Sequence, residues 1–198
     1  MLKSRIGLCA ILFLLGLSAC TKQDTSVTMD ASDTQTASSS AASADETAAA
    51  SATQTLTSKD SKLSIVVDGD FADVLDSATD WVDPAELNNL TLLQHDGSSN
   101  ITLAVNNLGS LKIKPDEYFK NLADSLEHNS SISNIKVGVA TVNRMNYRFS
   151  HQQNGTLLNE SCVALIVDNN LYSVCASSES ADYSALAGTL KTINVQNN

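Results

Sequence analysis

Residues 21–58 limit what this chain can fold into, because a stretch of that composition cannot build a core. Of these 38 positions, 26 are Ser, Thr or Ala, and Val27, Met29 and Leu56 are the only larger apolar side chains. No helical or strand period runs through them, and so little apolar area cannot offset the entropy of ordering the backbone. An Ala-rich helix near residues 41–52 is the competing reading, weakened by the interspersed Ser and Thr. The tract reads as a tether, with a root-mean-square span of roughly 30–40 Å as a flexible coil. It divides the 198 residues into three parts: 1–19, 20–58, and a patterned region, 59–198, of ordinary single-domain size.

The first part has its own logic. Lys3 and Arg5 precede a continuous apolar run from Ile6 to Leu17, which ends in Ser18-Ala19-Cys20. Positive charge, a short apolar run and small residues at a cleavage point are the layout of a secretory signal peptide. As a helix the run would span about 18 Å, well short of a hydrocarbon core of about 30 Å. Leu17-Ser18-Ala19-Cys20 resembles the bacterial lipobox, and that resemblance implies cleavage before Cys20 and its acylation with palmitate-type chains. Two or more chains give stable anchoring where one gives only marginal binding. Thr21, rather than Asp, follows the cysteine. By the sorting rule that goes with the lipobox, this favours the outer over the inner membrane, with the domain facing the periplasm.

Charge removes several function classes. The chain holds 12 Lys and Arg against 22 Asp and Glu, a formal net charge of −10. Residues 59–198 alone carry nine basic against 17 acidic residues, or −8. Such a balance argues against a general nucleic-acid binder, which needs a basic face to displace counterions. It also argues against attraction to anionic head groups, leaving acylated Cys20 as the link to the lipid bilayer.

From about residue 59 the pattern becomes that of a folded domain. Residues 62–67 (KLSIVV) read as a strand closed by the Asp68-Gly69-Asp70 turn. Residues 89–96 (NLTLLQHD) and 100–107 (NITLAVNN) flank Gly97-Ser98-Ser99 and read as a hairpin. Pro115-Asp116-Glu117 opens a helix, since Pro suits the first turn and the acids suit the positive end of the dipole. Its Tyr118, Phe119, Leu122, Ala123 and Leu126 fall on one face. Strand-like runs follow at 134–142, 145–152 and 156–167, with Asn154-Gly155 as the turn between the second and third. Residues 170–176 return as a strand after Asp168-Asn169. A second amphipathic helix is expected over 179–193, where Tyr183, Leu186, Ala187 and Leu190 keep the 3–4 spacing. This order predicts an α+β domain, an antiparallel sheet covered by helices.

Residues 92–108 (LLQHDGSSNITLAVNNL), 116–142 (DEYFKNLADSLEHNSSISNIKVGVATV) and 155–195 succeed one another as hairpin, helix with strand, and hairpin with terminal helix. In that order, and behind a lipobox and a low-complexity tether, they resemble the DcrB family of bacterial envelope lipoproteins. The resemblance implies a PsbP-like α/β/α sandwich, the fold of PsbP of photosystem II and of the Ran-binding Mog proteins. It further implies an envelope role that includes phage uptake, without an established enzymatic activity. Related domains in type VI secretion, which lack a lipobox, act as chaperones for effector proteins. The acidic stretch 68–86 and Thr21 depart from the family pattern.

Two cysteines, Cys162 and Cys175, remain once Cys9 and Cys20 are assigned to the leader and the anchor. If Asp168-Asn169 form a two-residue turn, Val167 pairs with Asn170 and Cys162 falls opposite Cys175. Counting outward makes that a non-hydrogen-bonded pair, with Cα atoms about 4.5 Å apart, within disulfide reach. An oxidising periplasm favours the bond, and two buried reduced thiols are the alternative. Without a C-x-x-C spacing, a redox role is not expected.

Other chemistry is sparse. His95, His128 and His151 sit on unrelated elements, and no spacing of a zinc site or other cofactor signature accompanies them. Asp68, Asp70, Asp73, Asp76, Asp80, Asp83 and Glu86 invite a calcium reading, but Ala72 occupies the third ligand place of an EF-hand loop, so a solvated acidic loop is expected. Trp81, the single tryptophan, reads as cover for a core edge, or else as an anchor for a partner. No nucleophile elbow or phosphate-cradling glycine loop appears. The expectation is a non-catalytic, membrane-anchored lipoprotein whose domain binds another envelope protein or peptide. A small-ligand or lipid carrier is the alternative, and a hydrolase a weaker one. The anchor has a direct test: Cys20→Ala should move the protein from the membrane fraction to the soluble periplasmic fraction. Retention of the variant in the membrane fraction, together with wild type of unprocessed size, would refute acylation of Cys20.

Overall fold

The computed structural model describes residues 52–82, 84–153 and 155–196. The expected signal peptide, Cys20, Thr21, most of the tether, Asp83 and Asn154 lie outside the described residues. Within them the elements run β1 (Thr53–Thr57), β2 (Leu63–Asp68), β3 (Phe71–Asp73), β4 (Leu90–Asp96), β5 (Ile101–Ser110), α1 (Pro115–Glu127), β6 (Ile132–Val137), β7 (Arg144–Gln153), β8 (Thr156–Val167), β9 (Asn170–Ser178), α2 (Tyr183–Thr189) and β10 (Thr192–Val195). Two short 3-10 turns, Leu75–Asp80 and Leu87–Asn89, lie between β3 and β4.

The strands form a seven-stranded sheet, ordered β3-β4-β5-β9-β8-β7-β6, and a three-stranded sheet, ordered β1-β2-β10. All described pairings are antiparallel. The α+β class is thus the observed one. The central hairpin explains the register of the large sheet. Asp168 (φ 50°) and Asn169 (φ 61°) both adopt the left-handed region, as a tight two-residue hairpin turn requires. Val167 then pairs with Asn170, and the ladder runs down to Asn159 opposite Ser178.

Alternation along these strands divides the side chains between two faces. On one face Leu103, Val105, Val163, Leu165, Tyr172 and Val174 meet Leu63, Ile65 and Val67 of the small sheet and Leu186 and Leu190 at α2. On the other face lie Met145, Phe149, Leu158 and the two cysteines, all buried. That second face is covered by α1, whose Phe119, Leu122 and Leu126 are buried, and by the end of the first 3-10 segment, where the Trp81 ring lies tilted against His95 of β4, centroids 4.7 Å apart.

Asp60 ties the first loop to the large sheet. It accepts from Ser58 Oγ at 2.7 Å, from Tyr172 Oη at 2.8 Å and from Asn107 Nδ2 at 3.2 Å. Burial alone would raise its pKa, but these bonds and the Lys62 amide hold it below the usual carboxylate range.

Several expected boundaries are corrected. The region assigned to the tether contains a strand, Thr53–Thr57, because Leu56 inserts into the core and β1 pairs residue for residue with β2. The helix expected over 179–193 is confined to Tyr183–Thr189 and gives way to β10, which adds to β2 through Ile193 opposite Ile65. The strand expected over 134–142 is displaced to Ile132–Val137, leaving Val139 and Val142 exposed in the following loop. The acidic stretch is not wholly a solvated loop: β3 pairs with β4, and Glu86 is buried.

Truncation separates tether from fold. A chain beginning at residue 52 is expected to unfold at the wild-type urea midpoint. One beginning at residue 59 loses Leu56 and uncovers one side of β2, which costs about 2 kcal/mol or more. Equal midpoints for the two truncations would contradict a structural role for β1.

Candidate functional site: a cationic groove beside α2

The polar face of β7 builds the site. Arg144, Asn146, Arg148 and Ser150 alternate with Met145, Tyr147, Phe149 and His151, so the first set stands on the α2 side of the sheet and the second under α1. β6 adds Lys136, directly opposite Arg148. β8 adds Val163, opposite Asn146, and the end of α2 adds Leu190 and Lys191. Between them runs an open groove of about 550 Å³, with Val163, Ala187 and Leu190 among its apolar lining and Lys136, Arg144, Arg148 and Lys191 as its cations.

The α2 side is fixed by a polar cluster. The Tyr183 hydroxyl hydrogen-bonds to Ser150 Oγ, which also receives Asn134 Nδ2 at 3.1 Å and donates to Asn159 Oδ1 at 2.9 Å. Asn159 Nδ2 in turn donates to the Ala181 carbonyl at 3.2 Å, and Asp182 caps α2 by accepting from the Ala185 amide at 2.9 Å. The Arg148 guanidinium lies 4.5 Å from the centre of the Tyr183 ring, a cation–π contact that holds it in place. Its Nε is buried without a hydrogen-bond partner. Arg144 Nε donates to Asn146 Oδ1 at 3.0 Å. Among the described residues none of the four cations makes an ion pair, and no carboxylate lines the groove. A second open groove, about 580 Å³ on the far side of α2, mixes Asp68 with Lys191 and shows no such charge separation.

The residues expected from sequence to carry chemistry lie elsewhere and are not brought together. Cys162 and Cys175 are bonded as a disulfide, with Cα atoms 4.1 Å apart, in the register expected from the Asp168-Asn169 turn. His95 sits on β4, 3.0 Å from Thr102 Oγ1, and burial lowers its pKa despite the Asp96 charge. His128 caps the end of α1, with Nδ1 2.6 Å from the Asp124 carbonyl oxygen. His151 lies under α1 beside Glu160, Nδ1 to Oε1 3.3 Å. Among the described residues, Glu160 and the two bridged sulfurs form the one cluster of three donors close enough for a metal, and the disulfide removes the thiolates such a site would use. Trp81, half-buried against His95, covers the sheet rather than the groove.

Two features are missing from the sequence-based expectations. The alternation Arg144-x-Asn146-x-Arg148 is a period-two signal for a cationic strand face. Glu160, in the apolar run of β8, is fully buried. Burial first, and the Glu86 charge second, raise its pKa well above the ordinary 4.5, while burial lowers that of His151. Burial therefore favours the neutral forms of both, and their contact is not a strong ion pair despite its length.

Linkage sets the direction of a test. A carboxyl whose folded pKa is raised contributes stability below its unfolded pKa and loses it as pH rises toward the folded value. The advantage of Glu160→Gln over wild type in urea unfolding should therefore grow from pH 4.5 upward, by about 1.4 kcal/mol per unit while the folded carboxyl stays protonated. A difference independent of pH would contradict a protonated Glu160.

No family model and no curated protein sequence matches the chain. Solved structures do, among them LpqN, involved in cell envelope biogenesis of Mycobacterium tuberculosis. It is 9% identical, with a TM-score of 0.48, and the match covers 74% of this chain and 91% of that one. At that identity and score neither a family nor a role is carried across.

Proposed function

We propose that this chain is a DcrB-like lipoprotein of the bacterial envelope, held in the membrane by acylated Cys20, whose domain faces the periplasm and binds another envelope protein without catalysing a reaction. The observation that carries this reading is the open groove beside α2: cationic, built on the large sheet, and lined among the described residues by no histidine or carboxylate that would activate Ser161. The lipobox and the Ser/Thr/Ala tract support the anchor and its reach. The outer membrane is the favoured location, from Thr21. Carriage of a small apolar ligand is less well supported, because Leu63, Leu103, Tyr172 and Leu186 fill the space between the sheets where such a ligand would lie.

Crosslinking in intact cells followed by purification of the tagged full chain tests the proposal. It should enrich one envelope protein over a control in which the same leader and tether carry an unrelated domain. Recovery of identical proteins from both would remove the basis for a specific binding role.

A further inference from the structure

We propose that the groove between α2 and β6–β8 seats an extended acidic segment of the partner protein. This rests on the reading of the domain as a binding module and names the chemistry of what it binds.

The charge distribution is the first argument. Residues 59–198 carry −8, yet four of their nine cations line this groove, and among the described residues no carboxylate lines it with them. Random placement on an acidic surface would interleave the two signs, as Lys62 and Asp168 do at 2.9 Å. Here Lys136 and Arg148 instead stand directly opposite on adjacent strands and one face, an arrangement that repels. Among the described residues no carboxylate is paired with either cation; the Tyr183 ring faces Arg148, and an anionic ligand would relieve the repulsion.

Arg148 supplies a second argument. Its guanidinium is stacked on Tyr183, so ordering it costs a ligand little, and its buried Nε lacks an acceptor. A buried donor without a partner costs free energy until an acceptor arrives. A carboxylate received by the guanidinium fork supplies one.

Spacing and shape then select among anions. Arg144 and Arg148 lie four residues apart on one strand face, about 13 Å, with the Asn146 amide between them. Cations strung out over that length match carboxylates on one side of an extended chain, whereas a single phosphate would need them to converge. A lipid head group is disfavoured because the groove is open, the core behind it is filled, and the domain's net charge opposes an anionic bilayer. At the mouth of the groove, next to Gly138 and Arg144, Val139 and Val142 are 95% and 84% exposed and offer apolar contact to the partner's intervening side chains.

Fluorescence anisotropy with the purified full chain in detergent tests this. The probe is a labelled peptide of alternating Glu and Val, about ten residues long, enough to span the cations. Binding should weaken as salt rises, and Arg144→Ala should weaken it about tenfold. Lys136 and Lys191 are exposed, so Lys136→Glu with Lys191→Glu should leave the unfolding midpoint near wild type while abolishing the Glu/Val signal. No binding by wild type, equal binding by the double variant, or displacement of the peptide by phosphatidylglycerol incorporated into the detergent micelles would overturn the proposal. The two readings fail separately. A cellular partner whose crosslinking survives Lys136→Glu with Lys191→Glu refutes the groove and leaves the binding module. No specific partner in cells refutes the envelope-binding role whatever the peptide does.

Discussion

The register of the β8–β9 hairpin is the constraint on which the rest depends. Two residues in the left-handed region, Asp168 and Asn169, close it, and a slip of one position would turn every side chain of a strand to the opposite face. With the observed register, Val163, Leu165, Tyr172 and Val174 enter the core beneath the small sheet, while Cys162 and Cys175 meet on the other side and are bonded. The disulfide closes a loop of modest length around a hairpin already made by its turn, so it locks a register more than it creates one. β7 inherits its phase from β8, and that phase puts Arg144 and Arg148 beside α2 rather than under α1.

The two faces of the large sheet have consequently become chemically different. Under α1 the titratable groups are buried and pushed toward neutrality, Glu160 upward and His151 downward. In the groove beside α2 the charged groups are cationic, half-buried or exposed, and among the described residues make no ion pair with a carboxylate. Both faces pack a core, and the one under α1 conceals an acid in it. The other packs against the small sheet and α2 and leaves an open cationic groove along β6 and β7, held in shape by Tyr183, Ser150, Asn134 and Asn159.

Features governed by neighbouring residues were legible in the sequence. Pro115, Asp116 and Glu117 marked the start of α1, and the Asp168-Asn169 turn was enough to place Cys162 opposite Cys175. β1 was hidden because its Thr and Gln merge into a Ser/Thr/Ala tract, and its single core side chain, Leu56, has meaning only once β2 lies alongside. β10 was hidden because Ile193 continues the 3–4 spacing of α2, although the Thr-Ile-Asn-Val run suits a strand. The groove needed three separate elements, with Lys136, Arg148 and Lys191 far apart in sequence. Only the Arg144–Arg148 alternation was there to be read locally.

In the proposed reading an anchored tether puts the domain within reach of envelope partners, and the cationic groove is what the domain offers them. The most direct measurement is site-specific photocrosslinking in intact cells. A photoreactive residue is placed in turn at position 191, on the groove, and at position 120, exposed on α1 at the opposite face. Position 191 should yield a discrete adduct and position 120 none. An adduct from 120 and none from 191 would show that the protein meets its partner through the α1 face, and would contradict a docking role for the cationic groove.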